Sequence, residues 1–396
     1  MPFAIVVSAL LQIVRFLLAV PFWCAVLQMA NVTFAVRQTD YVLPPLVGLR
    51  NPLHHVAAAG DHTVVVAFVV GSGNERGLYR DITSATADPI RIRFPATFRS
   101  TWTIEPGSET LFVTDKDDWW YATQADQDGA PAVTFMKSDG SRSTYRKPPE
   151  LTSDDAQSHS WMMAAVAGEK PRVILFNYAN EETVALDIDA TGTKRSWRLP
   201  RFRFNNIPTV VAEPLSDGRI AVIENSRGLS LYLLADDGQF ESIPLRNIEI
   251  TRFGAAMGSG GRIAIAALRK DTGTMEAAVI DPAHTDHTEW QPLQHDLQIA
   301  GYGPRVVATP DGFVAAWVND ADRRRIEAAE IDRHGRWGPV VEIDRPMTHG
   351  QPFLDVQARN DELLFWWDDG GAHLFEHHLP ASLKAYAAIK ALRCAE

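Results

Sequence analysis

A unit of about fifty residues recurs along this chain. A repeat of that length leaves few folds open, because each copy buries its apolar face only against its neighbours. The two clearest copies open Pro208-Thr-Val-Val-Ala-Glu-Pro-Leu-Ser-Asp-Gly-Arg-Ile-Ala-Val-Ile-Glu-Asn and Pro304-Arg-Val-Val-Ala-Thr-Pro-Asp-Gly-Phe-Val-Ala-Ala-Trp-Val-Asn. Each holds four short strands separated by turn residues. Aligned on the residue that opens the second strand, Asp61, Ser108, Lys170, Gly218, Gly261, Gly312 and Asp361 stand 47, 62, 48, 43, 51 and 49 residues apart. The longest step carries the polar insertion from Lys147 to His159, an excursion loop within the series rather than a domain boundary.

Between Arg37 and Leu379 almost no segment carries a helical period, so the expected class is all-β. Seven units of four strands at this spacing predict a seven-bladed β-propeller over 36–380, one domain, followed by a helical tail over 381–396. Continuous apolar runs such as Val64 to Val70 and Ile220 to Ile223 fit strands covered on both faces. The small residues Ala57 to Ala59, Ala164, Ala165, Ala255 and Ala256 suit inner strands crowded round a channel.

The seventh unit is short. After strands near Phe353 to Ala358, Glu362 to Trp367 and His373 to His378, the chain turns to Pro380 and a helix over Ala381 to Arg393. Val36 to Leu43 is the strand-like segment left without a place, so it is predicted to supply the missing outer strand and close the ring. Closure removes a sheet edge that would otherwise template aggregation.

Before the fourth strand a turn of the form Asp-x-x-Gly-x-aromatic, or a near variant, recurs: Asp189 to Trp197, Asp236-Asp237-Gly238-Gln239-Phe240, Asp332 to Trp337, and Ser138-Asp139-Gly140 reaching Tyr145. Here the chain resembles the Asp-box repeats of sialidase-like propellers, which place Ser-x-Asp-x-Gly-x-x-Trp in the same hairpin. No copy has that full spacing, and Asp281 to Trp290 lacks the Gly. The turn's expected role is structural: Asp accepts backbone N–H bonds, Gly takes positive φ, and the aromatic covers the gap between blades. The resemblance implies a carbohydrate-active hydrolase only if three arginines grip a carboxylate beside a Tyr-Glu nucleophile and an acidic proton donor.

Arginines recur where one unit's outer strand leads to the next unit's inner strand: Arg50, Arg99, Arg203, Arg252 and Arg305, with Tyr302 in the last of these connections. These connections share one face of a propeller, around the channel mouth, where guanidinium forks bind anions. Asp115 and Asp117, in the charged loop Asp115-Lys116-Asp117-Asp118 on that face, are the best calcium candidates, but they lack the further oxygen ligands of a recognised loop. Twelve histidines include His54-His55, His377-His378 and His284 and His287 near His295. Neighbours on a strand point to opposite faces, so the His-His pairs do not chelate one ion. Trp119-Trp120 and Trp366-Trp367 offer either a sugar platform or core. No nucleophile elbow, phosphate loop, zincin motif or Cys pair is present. Neither a metal nor a cofactor is expected.

The first 35 residues stand apart. From Phe3 to Val36 the one charged residue is Arg15, followed by an apolar run from Phe16 to Leu27 and a polar stretch to Ala35. This reads as a signal peptide, and so as export to the periplasm or beyond; the other reading is an uncleaved anchor over Phe16 to Val36, which alone would bring a membrane into play. With the segment removed, Cys394 is the sole cysteine, so no intrachain disulfide is available. A net charge of −11 with no basic block argues against a nucleic-acid partner. The expectation is a monomeric binding or scaffold module whose charged loop face takes a protein or carbohydrate ligand. A glycoside hydrolase distantly similar to sialidases is the alternative.

Overall fold

The computed structural model describes residues 37–42, 56–59, 64–70, 75–80, 90–93, 109–113, 118–127, 130–146, 161–166, 172–177, 183–200, 210–225, 228–285, 288–321, 324–345, 354–359, 361–368 and 373–393. After β1 (Arg37–Val42), the strands fall into groups of four. The first is β2 (Val56–Ala59), β3 (Val64–Val70), β4 (Glu75–Arg80) and β5 (Ile90–Arg93); the second is β6 (Glu109–Val113), β7 (Trp119–Gln127), β8 (Ala130–Lys137) and β9 (Arg142–Arg146). Next come β10 (Trp161–Val166), β11 (Arg172–Asn177), β12 (Thr183–Asp189) and β13 (Gly192–Leu199), then β14 (Val210–Pro214), β15 (Ile220–Glu224), β16 (Leu229–Leu234) and β17 (Phe240–Arg246). The fifth group is β18 (Ile250–Met257), β19 (Ile263–Arg269), β20 (Met275–Ile280) and β21 (Gln291–Pro292), and the sixth β22 (Ile299–Thr309), β23 (Gly312–Asn319), β24 (Arg325–Asp332) and β25 (Val341–Asp344). The chain ends with β26 (Leu354–Arg359), β27 (Glu362–Asp368), β28 (His373–Pro380) and helix α1 (Leu383–Arg393).

These strands pair into seven antiparallel sheets of four, each in simple up-and-down order save the last, which reads β1-β28-β27-β26. The innermost strands touch in sequence, β2 to β6, β10, β14, β18, β22 and β26, and β26 returns to β2. That circuit of sheets round an axis is a β-propeller. The predicted closing strand is in place, since β1 lies against β28 with Arg37 opposite His378 and Val42 opposite His373.

Packing between sheets makes the ring. One core joins Ile174, Phe176 and Trp197 to Val222, Tyr232 and Leu234 of the next sheet. Another joins Ala316, Ile326 and Val341 to Val356, Phe365 and Trp367. Second strands are mostly buried among the described residues, as at Ile220–Glu224, because a neighbouring sheet covers each face. The tryptophan pair on β27 belongs to this core, both rings being fully buried, as is Trp119; Trp120 is half-buried with the Lys137 ammonium 4.7 Å over its ring.

The recurrent aspartate turns behave as the sequence implies. Asp189, Asp237 and Asp332 accept the backbone N–H two residues on, at 2.7 to 2.9 Å, and Gly192, Gly238 and Gly335 carry positive φ. Trp197 donates its indole N–H to the Ala235 carbonyl of the next sheet at 3.0 Å, and Trp337 reaches back to the Gln291 carbonyl at 2.9 Å. The second reach has a purpose. β21 is two residues long, and the turn at Gly335 settles over Ala278 and Val279 where β20 lacks a longer partner; a Cβ on Gly335 would come 3.3 Å from Val279 N. On the far side, α1 covers β24 and β25: Lys390 donates to the Glu342 carbonyl at 2.8 Å and Ser382 to Glu330 at 3.2 Å. No helix among the described residues is long and apolar enough to cross a membrane.

Candidate functional site at the channel mouth

Up-and-down order puts the start of every innermost strand on the face that also carries the loops between second and third strands. Of the residues singled out from the sequence, Arg50, Arg99, Arg203, Asp115 and Asp117 lie outside the described residues. Arg252, Tyr302 and Arg305 fall within strands rather than connections, which corrects their expected placement: Arg252 on β18, the other two on β22. The reason is a register irregularity between Ala300 and Arg305, which lets β22 run extended through the glycine-containing stretch for eleven residues.

Two glycines fix how β18 and β22 meet. A Cβ on Gly254 would lie 2.3 Å from the Pro304 carbonyl oxygen, so only glycine permits the backbones this close. Gly303, at φ +100°, receives the aliphatic stem of Arg252, with Cβ at 2.7 Å from where its own would stand. Arg252 thus occupies the seam between the fifth and sixth sheets. Arg305 occupies the next seam: its Nε donates to the Leu354 carbonyl of β26 at 3.1 Å and lies 4.0 Å from Asp355 Oδ1. The two arginines stand in successive seams.

Arg305 differs from the ion-paired arginines of the ring. Arg172 and Arg195 hold Asp187, Arg246 and Arg269 hold Glu276, and Arg324 holds Asp320, each with a contact of 3.1 Å or less. Arg305 has only the long approach to Asp355, keeps 42% of its side chain exposed, and donates through neither terminal Nη to any protein group among the described residues. Asp355 receives Gln357 Nε2 at 3.1 Å. Desolvation by the surrounding walls holds its carboxyl above the usual range, Arg305 and Gln357 pulling the other way, even though 22% of the side chain meets solvent in the channel. The seam between β22 and β26 therefore holds a donor fork beside a carboxyl whose pKa is raised by burial.

Sequence reasoning missed the buried carboxylates behind this face. Glu327, 2% exposed, accepts from Trp317 Nε1 at 3.1 Å, Asn319 Nδ2 at 2.9 Å and His295 Nε2 at 3.0 Å, with Arg325 Nε 3.2 Å away. Asn319 in turn ties down the backbone at Gln298, Asp296 and Ala321. Glu276 holds the same place one unit earlier, and the signal was in the sequence as Met275-Glu276-Ala277-Ala278 against Ile326-Glu327-Ala328-Ala329. His295 belongs to this network and His284 to Asp281, so they do not share a site; among the described residues no group of His, Cys, Asp or Glu is arranged to hold a metal.

No protein-family model and no curated protein matches the chain. Solved structures do. Virginiamycin B lyase from Staphylococcus aureus superposes with a TM-score of 0.53 at 12% identity, covering 87% of this chain and 99% of that one. The β-propeller domain of the Trilobed protease from Pyrococcus furiosus gives 0.50 at 9%, over 84% and 98%. Polysaccharide lyase Uly1 gives 0.50 at 8%, over 85% and 91%. Identities this low speak to the fold alone, which is that of the β-propeller.

Proposed function

We propose that this propeller is an exported binding module that takes an anionic, carboxylate-bearing ligand at the channel mouth, between β22 and β26. Arg305 carries the reading. A half-exposed guanidinium whose Nη groups donate to no group among the described residues is a pre-oriented fork for a carboxylate, and Asp355 is the group such a ligand would displace. Arg252 lines the adjacent seam and would extend the positive wall. Export rests on the apolar segment over residues 1–35. Acidic sugars fit this chemistry, as does an acidic side chain of a protein partner.

A second reading, a carbohydrate-active hydrolase, draws on Asp355, whose raised pKa suits a proton donor beside a bound anion. Turnover of an acidic glycan that disappears in Asp355→Asn would favour it.

The binding claim is tested by thermal shift with glucuronate, using glucose as the uncharged control. A ligand held at a hundred times its Kd stabilises the fold by about 2.7 kcal/mol. Glucuronate is expected to raise the melting temperature, and Arg305→Gln, which keeps most of the side chain's bulk, to abolish the rise. Equal shifts with glucose, or an undiminished shift in Arg305→Gln, would refute the site.

A further inference from the structure

The side chains of β26, an innermost strand, divide between its two faces. Leu354 and Val356 join the core shared with the sixth sheet, so Asp355, Gln357 and Arg359 stand on the opposite face. The bond from Gln357 Nε2 to Asp355 Oδ2, 3.1 Å long, agrees with that placement. All three are half-buried. A polar track thus follows β26 from Asp355, where Arg305 reaches in from β22, to Arg359 at the hairpin into β27.

Arg359 ends the track as Arg305 begins it. Its side chain makes no hydrogen bond or ion pair with any described residue. The register sets Glu362 directly opposite it on β27, but that carboxylate is held by His378, with Oε2 3.0 Å from Nδ1. A guanidinium with donors to spare therefore stands at each end. Asp355 and Arg359 are four residues apart, about 13 Å along an extended strand, so a ligand that meets both arginines needs two anionic groups well separated along its length.

We infer, resting on the reading of Arg305 as a carboxylate fork, that the ligand is an oligomer of uronic acid laid along β26, with one carboxylate at Arg305 and another at Arg359. A peptide laid beside β26 would add to it through backbone groups, and the Leu354 carbonyl at its start is already taken by Arg305 Nε at 3.1 Å. Sugar hydroxyls need no such ladder. They both donate and accept, as the Gln357 amide midway along the track does.

Isothermal titration calorimetry of the full chain with glucuronate and its linear dimer and trimer reads the track. Affinity is expected to rise about tenfold or more from monomer to trimer, the worth of one added charge-assisted contact. Arg359→Gln should bring the trimer down to the affinity of glucuronate, and Arg359→Lys, which keeps the charge, should retain part of the rise. Arg305→Gln should weaken every ligand in the series. A trimer that binds no tighter than the monomer, or a rise that survives Arg359→Gln, would overturn the track; so would a glutamate trimer that gains as much from Arg359, which would make the ligand an acidic peptide. A series indifferent to Arg305→Gln would instead overturn the fork on which the track depends.

Discussion

Replacing Glu327 with leucine is expected to lower the free energy of unfolding by about 3 to 5 kcal/mol, the usual cost of removing one partner from a buried charged network. The carboxylate is the common acceptor of Trp317, Asn319 and His295 and faces Arg325. Its loss removes at one stroke the acceptor of the buried Trp317 indole N–H and of the Asn319 amide, and each orphaned donor keeps its desolvation cost. Glutamine should cost less than leucine, because a carbonyl oxygen still serves the indole. Urea denaturation with a fixed m-value reads both variants. A loss for leucine below about 1 kcal/mol would mean that the network is solvated and does not anchor the loops at 293–298 and 319–321.

Deleting residues 37–42 should have the other large effect. The last sheet would lose its outermost strand, β28 would present six unpaired positions, and the β-ladder that ties the start of the chain to its end would disappear, leaving only the packing of β2 on β26. At about 1 kcal/mol net per ladder hydrogen bond, the direct loss is roughly 3 kcal/mol or more. The exposed edge of β28 should also pair between molecules. Light scattering is expected to show concentration-dependent association, and the unfolding midpoint to fall. A variant that stays monodisperse with an unchanged midpoint would show that β1 is an ornament on an already closed ring.

How far the sequence reaches can be judged residue by residue. The spacing located the second strand in six units, where Asp61, Lys170, Gly218, Gly261, Gly312 and Asp361 precede β3, β11, β15, β19, β23 and β27, but Ser108 opens the first strand β6, so the loop holding Asp115 and Asp117 joins first to second strand and not second to third as expected. The displaced seventh strand was legible for a related reason: a count of strands per unit left one missing at the end and one spare at Val36 to Leu43. The turns at Asp189, Asp237 and Asp332 were legible because side chain and partner lie two residues apart. What the sequence concealed depends on the neighbouring sheet. Glu276 and Glu327 recur at one position of the repeat, but that they and Glu376 are buried is revealed only by the adjoining strands and loops. Tyr302 and Arg305 read as a connection because Gly301, Gly303 and Pro304 are turn formers, yet here glycine serves close approach to β18. Arg305 was one of five arginines the sequence could not tell apart, because its reach to Leu354 and Asp355 is a matter of geometry across a seam.

The proposed mouth site is tested most directly by a crystal structure of the chain soaked with glucuronate. The account predicts the ligand's carboxylate within hydrogen-bonding distance of the Arg305 Nη groups, with Asp355 turned away from the fork. Ligand bound instead at the turns that carry Asp189, Asp237 and Asp332, or a mouth empty at saturating concentration, would contradict it.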